Sequence, residues 1–314
     1  MKRQEKVLKH IKKAGIGVEI GPSHNPIAPK KSGYNVHIID HMSREELVKK
    51  YTGHGLNLSR IEDVDFVWQG QSYAELLGHT NYYDWIIASH VIEHAPDLIG
   101  FLNDCTEILN ENGVISLVIP DKRYCFDHYR PITGLAQLID SHHQQAKIHS
   151  PGAVAEYMLN VVARAGNIAW SAHETGNYTL VHSLNDAQRG MTTVINDQSY
   201  IDVHAWCFVP HSFRLLMHDL FELGLISVRE IEFYPTDGCE FYMTLGKHGK
   251  GISQSRLALL EAIDDEIIAG INGTPKTWQD HLTSQAKATK AGIKNGFKKA
   301  LSRTKYFIRD RTSN

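Results

Sequence analysis

The chain has 314 residues, 42% of them hydrophobic, and a formal net charge of −2. That length and apolar fraction supply a sizeable core, for one large α/β domain with an insertion or for two small domains. The near-zero charge excludes a polycation built to track nucleic acid, and four cysteines without a CxxC pair exclude a zinc knuckle and a dense disulfide scaffold. No apolar run approaches the roughly 18–20 residues of a bilayer span. The start MKRQEKVLKHIKKAG lacks the apolar segment of a secretory signal. A cytoplasmic protein with reduced, mostly buried thiols is expected.

In chain order, residues 2–13 read as a short amphipathic helix with Val7, Leu8 and Ile11 on one side. GVEIG (17–21) is a first strand that breaks into a turn, and NVHIID (35–40) is a second. SREELVKKY (43–51) opens with Ser43 followed three residues later by Glu46, a capping box. VDFVW (64–68) is a third strand. YDWIIAS (83–89) is a fourth, and its continuous apolar run suits a strand buried on both faces. Pro96 suits the first position of a helix over 96–110. Asn112-Gly113 ends that connection, and VISLVIP (114–120) is a fifth strand. The alternation predicts a parallel, doubly wound sheet.

The end of the domain departs from this rule. SFRLLMHDLFELG (212–224) reads as a helix with a glycine stop. Two strands follow, ISVREIEFY (226–234) and CEFYMTLG (239–246), joined only by Pro-Thr-Asp-Gly. A parallel crossover needs a dozen residues or more, so this pair must be antiparallel. The stretch 125–203 is rich in His, Tyr, Gln and Asn, with a helix near 152–165, and reads as an insertion. Loops at the carboxyl edge of a parallel sheet build the ligand site, so this insertion is expected to form a lid or acceptor pocket. The expected organisation is therefore a sheet domain over 1–124 and 204–250, the insertion, and a helical tail over 251–314. Between Lys287 and Arg311 lie nine basic residues and one acid. A basic amphipathic helix there suits an anionic membrane surface or a partner protein, and a solvated terminal helix gives the same pattern.

Chemistry concentrates at the strand ends. Gly21, directly after the first strand, permits a sharp turn and close approach of a ligand. Nineteen residues later the second strand ends in Asp40, where an acid can accept both hydroxyls of a ribose. With Val18–Gly21, the Asp40 strand end, YDWIIASHVIEHAPD (83–97) and EILNENGVISLVIPD (107–121), the chain resembles the class I S-adenosylmethionine-dependent methyltransferases. It is most similar to the type-11-like branch associated with polysaccharide and cell-envelope genes. The resemblance covers roughly 15–124 and 204–247. It implies a Rossmann-like sheet of seven mostly parallel strands with a terminal antiparallel pair, and S-adenosyl-L-methionine as cofactor. It also implies roles. Glu19 and Gly21 border the methionine part, and Ser23 in the same loop joins the cofactor-binding set. Asp40 takes the ribose, Gly70, Gln71 and Ser72 lie beside adenine, and Ser89 and His90 lie near the sulfonium and the acceptor. The chain departs from the family's pattern by keeping one glycine in the first loop, between Glu19 and Pro22, and by having Gln71 and Ser72 where an acid is common.

Methyl transfer to oxygen or nitrogen needs a base near neutral pH, and His90 is the first candidate, Asp121 the second. The bland readings are a loop histidine for His90 and, for Asp121, a cap or an ion pair with Lys122 or Arg123. Lys122, Arg123 and Arg130 suit an anionic acceptor, or pairing with Asp121 and Asp127 that anchors the insertion. No metal is assigned. The alternative is a half-site in which His90, Glu93 and His94 share one side of a helical turn, and it needs a further ligand from His142, His143, His173 or His204. The expected function is methyl transfer to an O or N atom of a small-molecule or glycan-type acceptor, and nucleic acid is not the expected partner. A non-catalytic scaffold with a degenerate cofactor loop is the rival, and a metal-dependent hydrolase is a second.

Overall fold

The structure, a computed structural model, describes residues 1–271. A short helix α1 (Arg3–Leu8) precedes strand β1 (Ile16–Ile20). Next come β2 (Asn35–Asp40), α2 (Arg44–Tyr51), β3 (Phe66–Val67), α3 (Tyr73–Leu77), β4 (Tyr83–Ser89), α4 (Leu98–Ile108) and β5 (Leu109–Pro120). The insertion supplies α5 (Leu135–His143), α6 (Pro151–Asn160), β6 (Val162–Arg164), β7 (Tyr178–Leu180) and α7 (Leu184–Asp197). The chain returns through α8 (Pro210–Glu222), β8 (Arg229–Asp237) and β9 (Glu240–Gly246), then α9 (Arg256–Ile271). The basic segment 287–311 lies outside the described residues.

Seven strands form one sheet in the order β3-β2-β1-β4-β5-β9-β8. The first five pair in parallel, whereas β9 runs antiparallel to both β5 and β8. The sheet is therefore doubly wound and mostly parallel, with the terminal antiparallel pair the sequence predicts. Side chains alternate across a strand, and β4 shows the result. Ile86 and Ala88 join the core under α4 and α8, while Trp85 and Ile87 join a second core with Val7 and Val36 on the other face. All four are at most 1% exposed, as a strand buried on both faces requires. Among the described residues no helix is long and apolar enough to cross a membrane. All four cysteines are free, and three are buried.

Several element boundaries move for identifiable reasons. Pro96 stands outside α4, because Asp97 caps the helix by accepting the Gly100 N–H at 2.8 Å. Asn112-Gly113 does not precede β5 but lies within it, where the pairing with β4 slips between Tyr83 and Trp85. A glycine inside a strand commonly marks such an irregularity. Strand β8 runs through Pro235 to Asp237, so the turn into β9 is only Gly238-Cys239. Proline is tolerated there because β8 is the edge strand. The third strand shrinks to Phe66–Val67, which pairs with Ile39 and Asp40 alone. The Ser43–Glu46 capping box forms as expected, with Ser43 Oγ accepting the Glu46 N–H and Glu46 accepting the Ser43 N–H.

The insertion and the chain that returns from it are sewn to the segment that follows β4. Ser141 Oγ donates to the Pro96 carbonyl, the Trp206 indole N–H to the Ala95 carbonyl, and the Ala205 N–H to the Glu93 carbonyl at 2.7 Å. Strands β6 and β7 form their own small sheet, apart from the main one.

Candidate functional site

The strand order reverses between β1 and β4, which is where an open parallel sheet leaves a crevice at its carboxyl edge. Gly21 leaves β1 with φ +61° and donates its N–H to the Ile39 carbonyl at 2.8 Å. A Cβ there would sit 3.1 Å from Val91 Cγ2, so the loops after β1 and β4 lie against each other. Ser23, also left-handed at φ +50°, donates its N–H to Asp40 Oδ2 at 3.0 Å. Asp40 Oδ1 accepts the His41 N–H at 2.8 Å and contacts His41 Nδ1 at 2.6 Å. The Gly21 turn and Asp40 are thus brought together, as the sequence requires. However, a carboxylate offers about four lone-pair sites, and the chain itself fills three of them on a side chain 3% exposed. The Ser23 hydroxyl donates to Tyr51 at 2.8 Å, and the His24 ring packs on Tyr51, which fixes the loop in this position.

Glu19 does not border the crevice with free oxygens. It is buried and accepts the Ile27 and Ala28 N–H groups at 2.6 and 3.0 Å, closing the far end of the same loop. Burial pushes its carboxyl up to about 7, against the pull of the two backbone donors. The folded chain therefore holds this proton where the unfolded chain has lost it. Stability from Glu19 is complete below about pH 4.5 and is lost as pH rises through 7. The difference between wild type and Glu19→Gln, followed as thermal unfolding from pH 5 to 8, should change by on the order of 3 kcal/mol. Parallel curves would contradict this account of Glu19.

At the expected adenine edge, Gly70 is exposed with φ +98°. The Gln71 side chain accepts the Gln69 N–H, and its carbonyl accepts the Trp68 indole N–H. Ser72 caps α3 by accepting the Glu75 N–H, so its hydroxyl proton is what it has left to offer a ligand.

The tip of β4 is densely paired. Ser89 Oγ accepts from Arg3 Nη2 at 2.9 Å. His90 has φ +54°, a conformation that L side chains enter only when surrounding contacts hold them. Its Nε2 lies 2.7 Å from Glu240 Oε2, and its Nδ1 lies 3.5 Å from Glu93 Oε1. Glu240 also accepts from Arg3 Nε at 2.6 Å and from the Tyr242 hydroxyl at 2.8 Å. Burial lowers the His90 pKa, but the carboxylates of Glu240 and Glu93 outweigh it and raise it to about 9. That direction favours the imidazolium, and a general base at this position needs the neutral ring.

Asp121, the second candidate, is held by structural partners. It is fully buried, accepts a two-pronged bond from Arg123 at 2.9 and 2.5 Å, and accepts the Thr236 hydroxyl at 2.5 Å. Arg123 continues to the Glu266 carbonyl in α9. Arg130 bonds Asp127 and the His204 carbonyl, and Lys122 donates to the His128 carbonyl. These three cations anchor the insertion and the last helix, the second of the two readings.

For the half-site of His90, Glu93 and His94 the sequence offered four further histidines, and the fold selects His204 while His90 Nε2 turns to Glu240. Donor atoms of Glu93, His94 and His204 all lie within 4.8 Å of one another. By contrast, His142 pairs with Asp97, and His143 and His173 are exposed. Sequence reasoning missed Arg3, Glu240 and His149. Glu240 left a signal, a charge opening an otherwise apolar strand. Arg3 left none, because it reaches the site from the other end of the chain. His149 is buried with neither ring nitrogen hydrogen-bonded, and burial pushes it down to about 4.

No protein-family model matches the chain, and no curated protein matches it. Among solved structures it is similar to a SAM-dependent methyltransferase from Aquifex aeolicus, at 12% identity and a TM-score of 0.37 over 77% of this chain and 88% of that one. It is also similar to a SAM-dependent methyltransferase from Methanosarcina mazei, at 10% identity and a TM-score of 0.38 over 77% and 96%. A third is the trans-methyltransferase CalH in complex with SAH, at 12% and 0.38 over 77% and 53%. Likeness at this level carries no weight for the activity of this chain.

Proposed function

We propose that the chain is an S-adenosylmethionine-dependent methyltransferase acting on an O or N atom of a small-molecule or glycan-type acceptor. The observation that supports it is the sheet itself: five parallel strands in the order 3-2-1-4-5 followed by an inserted antiparallel strand, with Gly21 and Asp40 meeting at the switch point. A nicotinamide-binding sheet continues parallel at that edge. Where the adenosyl group binds, Gly21 would leave room for it, and Asp40 would take one ribose hydroxyl on its remaining lone pair, or both after the Ser23 N–H lets go. The cofactor supplies an activated methyl group. The chain's own part is to align donor and acceptor, and the fixed network Arg3–Glu240–His90 supplies rigid walls for that. Membrane or protein contact through the basic tail, a cytoplasmic location and a link to polysaccharide synthesis belong to the same proposal.

A non-catalytic scaffold is the second reading, and the three internal hydrogen bonds on Asp40 favour it. Calorimetry separates the two. S-adenosylhomocysteine should bind the full chain with one site, and Asp40→Ala should weaken it at least about tenfold, the value of one good hydrogen bond to a charged group. No heat at millimolar ligand would favour the scaffold.

A further inference from the structure

We infer that Glu93, His94 and His204 bind one divalent transition-metal ion of the zinc class beside the tip of β4. The inference stands apart from cofactor binding. Glu93 is wholly buried, and neither of its oxygens has a hydrogen-bond partner. Buried polar groups are otherwise hydrogen-bonded almost throughout folded proteins, and His90 offers this carboxylate charge but no hydrogen bond, so both oxygens keep lone pairs open to a ligand. His90 Nδ1 at 3.5 Å and His204 Nε2 at 3.9 Å are too distant to hydrogen-bond it.

The two imidazoles are oriented as metal ligands are. His94 Nδ1 lies 2.8 Å from Asp202 Oδ1, and His204 Nδ1 lies 2.5 Å from Asp127 Oδ2. Each carboxylate fixes the ring and leaves Nε2 as the free donor, the carboxylate–histidine–metal arrangement. The rings stand 4.6 Å apart at 85°. Backing groups are held in turn: Asp127 by Arg130 at 2.9 Å and Asp202 by the Tyr200 hydroxyl at 3.3 Å. The Ala205 N–H on the Glu93 carbonyl locks the segment carrying His204 to the segment carrying the other two. Two imidazoles and one carboxylate suit zinc and its first-row neighbours better than magnesium or calcium, which prefer all-oxygen shells. Binding would draw the three donors to about 2.0–2.2 Å from a common centre.

The test is zinc binding by the full chain after stripping with a chelator. Mass spectrometry of the dialysed protein should find about one zinc per chain, and a magnesium titration should give no comparable heat. Glu93→Gln and His204→Ala should each lose at least about tenfold in zinc affinity, as should Asp202→Asn behind His94. His94 is half-exposed, so His94→Ala keeps the result readable if the buried variants unfold, with circular dichroism as the check. Less than about a tenth of an equivalent of zinc in the wild-type chain would overturn the inference. So would equal affinity in wild type and folded His94→Ala.

Discussion

Asp121→Ala is expected to lose roughly 3–5 kcal/mol of folding stability, measured by denaturant unfolding. The reason is asymmetry. Asp121 is fully buried and Arg123 is 9% exposed, so removing the carboxylate strands a buried guanidinium. The Thr236 hydroxyl loses its acceptor in the same step. Because Arg123 also donates to the Glu266 carbonyl, α9 should loosen along with the strand ends. The double variant Asp121→Ala/Arg123→Met should recover much of the loss, since an apolar replacement of both partners leaves no unpaired charge. A catalytic carboxylate behaves differently. Its loss would leave unfolding within about 0.5 kcal/mol of wild type and abolish turnover. That outcome would favour Asp121 as a base and reject the structural role.

Glu240→Ala should cost about 2–4 kcal/mol. It is one carboxylate serving Arg3, His90 and Tyr242, and it joins the first helix to the tip of β4 and the start of β9. The expected loss is smaller than for Asp121 because Arg3 is partly exposed and can rehydrate. Two readouts should move together: the unfolding midpoint, and hydrogen-exchange protection across α1. Protection of α1 unchanged from wild type would show that Arg3 is not what seats that helix.

Much of the fold was legible because it rests on local patterns. The apolar run YDWIIAS marks a strand buried on both faces, and a short link forces an antiparallel last pair whatever the exact turn. Strand edges were harder, since Pro235 is forbidden in a central strand but allowed at the edge, and edge position is a property of the whole sheet. The site divides along the same line. Gly21 and Asp40 were readable from spacing. Which of their atoms remain free was not, because the Ser23 N–H that occupies Asp40 and the N–H groups that occupy Glu19 are backbone groups with no sequence signature. The state of His90 also depended on a partner 150 residues away. His204 was one name among four until the chain returning from the insertion was folded back on Glu93.

The proposed activity requires an adenosyl group to enter the crevice between the Gly21 turn and Asp40. A crystal structure of the chain grown with saturating S-adenosylhomocysteine tests it most directly. A ribose hydroxyl is expected within hydrogen-bond distance of the Asp40 carboxylate, with the Ser23 N–H shifted or sharing that oxygen. Clear density for the protein with the Ser23–Asp40 bond intact and no ligand beside it would contradict the claim and leave the fold as a scaffold.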